Sequence, residues 1–364
     1  MDRVTSAFFS LLRSGLWQRD VDGLVSFPLT EEEWQKVMVL SSRQSVEALV
    51  WRGLHYLPEE FLPAAKLLME WTAHAAAIEK KNCLMDKAVS QINSIFASAG
   101  LHPVLQKGQG LARLYNEPHL RECGDIDWFF NDRKDSEAAL EIMSRRGIHI
   151  NGRADGSSLY IWNGITVEHH RQLLDIYDPR RRRFIQDLIA RYGFVAARLE
   201  DTEGPGLTVP SPGLEILLVG SHIFKHLAGR GIGLRQFCDM ACCVKAHAGK
   251  ISSEEFIRDA DGIGMGRWFQ VVNAFMVEYL GLDERWLPYR KTDPSRNGRI
   301  LSAVMDGGNF GRFRHGREND RKSSVRRKMH TLSAFIQNAG LSFPIAAGET
   351  FWILAGLLGG QSAR

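Results

Sequence analysis

Two aspartates separated by one apolar residue, Asp125-Ile126-Asp127, are the feature of this sequence most suited to chemistry. They lie in Arg121-Glu122-Cys123-Gly124-Asp125-Ile126-Asp127-Trp128-Phe129-Phe130, whose apolar end reads as a buried strand. Alternate residues of a strand point to one face, so Asp125 and Asp127 stand side by side. Ile126, Trp128 and Phe130 enter the other face. Alone, such a pair is more often solvated surface charge. Inside an apolar strand, unpaired acids are costly. Adjacent carboxylates repel unless a cation lies between them, and oxygen donors of this kind suit Mg²⁺ or Mn²⁺. A strand with both acids on one face is the floor of a metal site for phosphoryl or nucleotidyl transfer.

Such a floor needs a phosphate grip and a further carboxylate. Lys107-Gly108-Gln109-Gly110 supplies a turn at which backbone N–H groups can approach phosphate closely. The apolar stretch Leu111 to Tyr115 is expected to begin a helix there, and a helix N-terminus attracts phosphate. Leu159-Tyr160-Ile161-Trp162, Asn163-Gly164 and Ile165-Thr166-Val167-Glu168 read as a β-hairpin, because Asn-Gly is the strongest two-residue hairpin signal. Glu168, in the second arm, is the candidate third ligand. The bland alternatives are a surface lysine at Lys107 and an exposed pair of Arg121 with Glu117 or Glu122, worth about 0–1 kcal/mol.

The stretch from Lys107 to Phe130, with Glu168, resembles the polymerase-β-type nucleotidyltransferase superfamily. More narrowly, the chain is similar to a bacterial group of uncharacterised nucleotidyltransferases. Lys107-Gly108, Arg121, Asp125-Ile126-Asp127 and Glu168-His169-His170 match that group's pattern in order. Thr30-Glu31-Glu32-Glu33-Trp34 and Leu234-Arg235-Gln236-Phe237-Cys238-Asp239 share its flavour less specifically. The resemblance implies catalytic and metal-holding roles for Asp125, Asp127 and Glu168. It implies nucleotide contacts at Lys107, Gly108, Gln109, Arg121 and His170. The wider superfamily has Gly-Ser or Gly-Gly at the turn; Gly108-Gln109 departs from this and leaves the backbone as the expected contact.

The expected protein is an α+β nucleotidyltransferase, with helical regions on both sides of a small mixed sheet. Mg²⁺ (or Mn²⁺) would be its cofactor and an NTP its substrate. An NMP would pass to an acceptor that the sequence does not specify, with Glu168 taking the acceptor's proton. Two alternatives stay open. One is a non-catalytic nucleotide-binding or interaction module, against which the three acids argue. The other is a toxin-like nucleotidyltransferase acting on tRNA or protein.

Composition is consistent with these readings. Of 364 residues, 44% are hydrophobic and 24% charged, which is ordinary globular material. A net charge of +4 is too small to indicate nucleic-acid binding by itself. No apolar run approaches the roughly 20 residues of a membrane span; the longest candidate, Phe351 to Gly360, is half that and Gly-rich. Asp2 beside Arg3, without a signal-type apolar region, and five cysteines without a disulfide framework lead to an expected cytoplasmic location. Cys238, Cys242 and Cys243 lack zinc-site pairing and read as helix core.

Three units are expected: a helical region over 1–99, a catalytic core over 100–204 and a mainly helical region over 205–364. Thr30 to Glu33 forms a capping box. Ala64 to Ala97 reads as one long helix stopped by Gly100, and Glu137 to Arg146 as an amphipathic helix. Pro205 to Pro212 reads as a Gly/Pro-rich linker. Helices are expected over 213–248, 252–263 and 268–280. His222 and His226 share a helix face at metal-ligand spacing, although core or hydrogen-bonded histidines fit better. They could line the cleft if this helix folds back over the sheet. Arg235 and Asp239 either meet nucleotide or brace an interface. Two basic runs, Arg180 to Arg183 and the segment from Arg312 to Lys328, are solvated loops or grips for an anionic acceptor.

Overall fold

The computed structural model describes residues 1–153, 155–199, 206–229, 231–308 and 324–359. The fold is α+β. Its sheet is built from β1 (Val104–Leu105), β2 (Asp125–Phe129), β3 (Asn151–Gly152), β4 (Ser158–Trp162), β5 (Ile165–His170), β6 (Phe194–Ala197) and β7 (Leu207–Pro210). Their spatial order is β3-β4-β5-β2-β1-β7-β6, so the Asp-x-Asp strand is central. β2 runs parallel to β5 and antiparallel to β1. β4 and β5 form the expected hairpin, with φ of +48° at Asn163 and +81° at Gly164. Positive φ at both central positions is what a right-twisted two-residue hairpin requires.

The stretch expected as a linker is in part a strand. β7 pairs parallel with β1 through Val104 and Thr208, and antiparallel with β6. Pro210 is tolerated because it terminates the strand. The sheet therefore extends past the catalytic core expected at 100–204.

Apolar alternation decides what covers each face. Ile126, Trp128, Tyr160 and Val167 pack against Met85, Val89, Ile92 and Phe96 of the Ala65–Ala97 helix. Ala139 and Met143 of the Arg133–Arg145 helix complete this layer. That helix starts before the expected Glu137 because Asp132 caps it, accepting from Lys134 N. On the acid-bearing face, Phe129 joins a larger core that includes Leu173, Leu174 and Leu214. Leu214 belongs to the Pro212–Ala228 helix, so this helix does fold back over the sheet. The same core reaches from Phe8 to Ile353, so the N-terminal and C-terminal helices share one interior. Thr30 and Glu33 make the reciprocal capping box. Among the described residues, no helix is long and apolar enough to cross a membrane.

Candidate active site

Strand register assembles the acids. Asp127 of β2 lies opposite Glu168 of β5, and Phe129 lies opposite His170. Residues at i and i+2 share a face, so Asp125, Asp127, Glu168 and His170 project from one side of the sheet. Val167 and His169 point to the other side and are buried there. One ligand atom each from Asp127, Glu168 and His170 fall within 4.8 Å of one another. His170 Nε2 is 2.5 Å from Asp127 Oδ1, and His170 Nδ1 is 3.8 Å from Glu168 Oε1.

Cations balance this cluster. Lys107 Nζ lies 3.8 Å from Asp127 Oδ1 with its side chain 12% exposed. Arg153 Nη1 donates to Glu168 Oε2 at 2.7 Å. The acids divide their titration accordingly. Repulsion from Asp127, then burial, raises the pKa of Asp125 to about 6. Burial also pushes Asp127 up, but Lys107 and His170 outweigh it and hold its carboxyl well below the usual range. His169, on the apolar side, is pushed down to about 3 by burial and stacks among Phe96, Phe130 and Tyr160. It is a core histidine, unlike its neighbour His170.

The glycine turn sits directly beside Asp125. Gly108 has φ +51°, and a Cβ there would lie 2.9 Å from the Asp125 carbonyl oxygen. Only glycine fits both the conformation and the approach. The helix that follows is a single turn, Gln109–Ala112, shorter than the stretch to Tyr115 expected from the sequence. The N–H groups of Gly110, Leu111 and Ala112 already bond the Lys107 and Gly108 carbonyls, so any phosphate grip here falls to the backbone of Gly108 and Gln109 rather than to a long aligned dipole. The Gln109 side chain is buried and bonds Asp86 and the Asn82 carbonyl. Its Nε2 is thereby engaged within the protein.

Arg121 stands apart from the expected nucleotide contacts. It is buried, with Nε and Nη2 each 2.7 Å from an Asp239 carboxylate oxygen. Tyr115 Oη donates to the same carboxylate at 2.6 Å. This pair ties the segment before β2 to the Leu234–Ala246 helix. The carboxylate partner of Arg121 is neither Glu117 nor Glu122; Glu122 offers it only the backbone carbonyl, which accepts from Nη1 at 3.3 Å. Arg235 donates to the Glu122 carbonyl at 2.9 Å, and its charge reaches Asp125.

A second polar group borders the acids. Asp175, just past β5, accepts from His222 Nδ1 at 2.8 Å and from Lys225 Nζ at 2.8 Å. His222 and His226 meet edge to face at 4.5 Å. Spacing alone showed the histidine pair. Asp175, Lys225 and Arg153 were missed, because their partners come from other elements.

Glu215, Cys243 and His247 form a further compact group. There Arg113 Nη2 lies 2.6 and 2.7 Å from the two Glu215 oxygens, so a cation already neutralises it. Cys238, Cys242 and Cys243 are buried core, as expected. In the first basic run, Arg180 pairs with Asp178 at 2.7 Å and Arg181 donates to the Gly262 carbonyl. Arg182 and Arg183 are exposed. In the second run, Arg312 to Lys322 lie outside the described residues, as do the side chains of Arg326, Arg327 and Lys328.

A family model described as uncharacterised nucleotidyltransferase matches residues 30–281, more than half of the chain. The chain belongs to that family. The match covers the glycine turn, both strand aspartates, Glu168 and the helix bearing His222. No curated protein and no solved structure matches the chain. Family membership carries the coarse activity, nucleotidyl transfer, and with it a nucleotide substrate.

Proposed function

We propose that this chain transfers an NMP from an NTP to an acceptor hydroxyl and releases pyrophosphate. The observation that carries the reading is the pairing of Asp127 with Glu168 across β2 and β5, with Asp125 on the same face beside the Gly108 turn. The donor set fits hard divalent cations: carboxylate oxygens converge with one imidazole, which Mn²⁺ accepts more readily than Mg²⁺. Asp125, Asp127 and Glu168 would hold them. Bound there, divalent ions would neutralise the triphosphate and lower the pKa of an acceptor hydroxyl.

The chain's own groups do the rest. Lys107, poised 3.8 Å from Asp127, exchanges that acid for a phosphate oxygen when the nucleotide enters. Backbone N–H groups of Gly108 and Gln109 bond the phosphates, and the Gly108 conformation keeps them within reach of Asp125. Arg153, bonded to Glu168 Oε2 at 2.7 Å, balances the charge of that acid and keeps it in position at the edge of the site. Arg121 and Asp239 tie the segment before β2 to the Leu234–Ala246 helix.

The test is direct. Each of the four labelled NTPs is incubated with the protein and Mg²⁺, Mn²⁺ or EDTA. Pyrophosphate release and label transfer to the protein, to RNA and to pooled metabolites are then measured. Divalent-dependent release with at least one NTP is expected. No turnover and no NTP binding under any condition would reject the reading.

A further inference from the structure

We infer that His222, oriented by Asp175, is the general base that takes the proton of the attacking acceptor. This inference rests on the nucleotidyl-transfer reading and names a residue that the acid pattern leaves out.

Glu168, the acid expected to take that proton, is engaged. Arg153 holds Oε2 at 2.7 Å, and His170 lies 3.8 Å from Oε1. An acid required as a cation ligand has further reason not to bind a proton. Asp127, a further proposed cation ligand, is held by His170.

His222 has the opposite arrangement. Its Nδ1 donates to Asp175 at 2.8 Å, which fixes the tautomer and leaves Nε2 as the nitrogen with a lone pair. The ring keeps 18% exposure. Asp175 is held in turn: Lys225 Nζ bonds its other oxygen at 2.8 Å, and its backbone N–H meets Ser221 Oγ at 3.3 Å. A base oriented by a carboxylate is the usual geometry of an activating dyad.

The charged and titratable groups facing His222 come from several elements. They are Asp175 from the segment after β5, Lys225 and His226 from its own helix, Lys107 from the glycine turn and Asp127 from β2. Burial, then Lys107, pushes the His222 pKa down to about 4, against the pull of Asp175. The imidazole is thus neutral near pH 7, so Nε2 starts without a proton, and Asp175 is the group that favours the imidazolium as it forms. Lys107 and Asp127 are among these groups, so the ring lies within electrostatic reach of the acid cluster.

The step balances. The acceptor O–H proton moves to His222 Nε2 as the acceptor oxygen bonds the α-phosphorus. The bond from the α-phosphorus to the bridging oxygen breaks, and pyrophosphate leaves with that electron pair. Asp175 stabilises the imidazolium, which then returns its proton to water.

Water serves as the probe acceptor, with Mg·ATP as donor and pyrophosphate release as the signal. His222→Ala should lower kcat about 100-fold or more. KM for Mg·ATP should stay within about twofold, because the phosphate grip is untouched. Added imidazole should restore part of the His222→Ala rate, which a structural role would not produce. Asp175→Asn should lower kcat without changing KM. His222→Gln covers the case in which the alanine variant fails to fold, and thermal unfolding checks both. Asp127→Asn is run in parallel. If it abolishes turnover while folded His222→Ala or His222→Gln keeps the wild-type kcat, the base assignment is overturned and the nucleotidyl-transfer reading stands. If Asp127→Asn retains full turnover, that reading falls and this inference with it.

Discussion

At the residue scale, the informative groups are those whose surroundings set their charge. Asp125 and Asp127 are chemically identical and two residues apart, yet they are pushed in opposite directions. The difference lies in partners: Lys107 and His170 sit on Asp127, whereas Asp125 faces the repulsion that remains. The pair itself was legible in the sequence, because i and i+2 share a strand face whatever else the chain does. Its countercharges were not, since Arg153 and Asp175 acquire meaning only through partners on other elements. Glu349 gives a test of the same physics away from the acids. It is buried and accepts from the backbone N–H groups of Tyr177 and Asp178 at 2.6 and 3.2 Å. Burial raises its pKa to about 7 despite those bonds. A raised folded-state value means that its stabilising contribution is full below the unfolded value near pH 4.5 and is lost as pH rises through 7. Glu349→Gln should therefore gain on wild type between pH 5 and pH 8, by on the order of 3 kcal/mol. Denaturant unfolding at the two pH values checks this; a pH-independent difference would contradict it.

At the element scale, local pattern determined the elements whose signals are local. The Asn163-Gly164 hairpin, the capping box at Thr30 and the long helix ending before Gly100 all follow from short-range rules. β6 and β7 escaped because Gly206 and Pro210 punctuate the stretch like a loop, while its strand character comes from pairing with Val104, about a hundred residues earlier. The glycine turn is the tightest element. Gly108→Ala would bring a Cβ against the Asp125 carbonyl at positive φ. It should cost ~1–3 kcal/mol of stability and reduce turnover more than nucleotide-independent folding; unchanged activity would detach the turn from the site. The Arg121–Asp239 brace separates a structural role from a nucleotide-binding one. Asp239→Asn leaves a buried guanidinium without its counter-ion and should cost ~3–5 kcal/mol. Protein that still folds should bind NTP with wild-type affinity by calorimetry. A selective loss of NTP affinity at full stability would return Arg121 to the nucleotide site.

At the scale of the whole molecule, the helices before and after the sheet share one core, and this binds the site together. The Pro212–Ala228 helix carries Leu214 into that core and presents His222 and Lys225 to Asp175. Three expected units at 1–99, 100–204 and 205–364 capture the order of elements along the chain. β7 and the Pro212–Ala228 helix, on the far side of the expected 204/205 boundary, join the sheet and the core of Phe129, because no periodicity reports which face a distant helix covers. Alternation, by contrast, shows which residues of β2 and of β5 share a face, while the pairing of the two strands brings Asp127 and Glu168 together. The central claim is that these acids hold the divalent ions on which nucleotidyl transfer depends, and one measurement reaches it most directly. Divalent-dependent pyrophosphate release from labelled NTP is compared between wild type and the double variant Asp125→Asn, Asp127→Asn, with thermal unfolding of both recorded in the same buffer. The account predicts that the variant stays folded, because removing two crowded charges leaves the strand packing of Ile126 and Trp128 intact, and that release falls to background. A folded double variant that still releases pyrophosphate at the wild-type rate would contradict it.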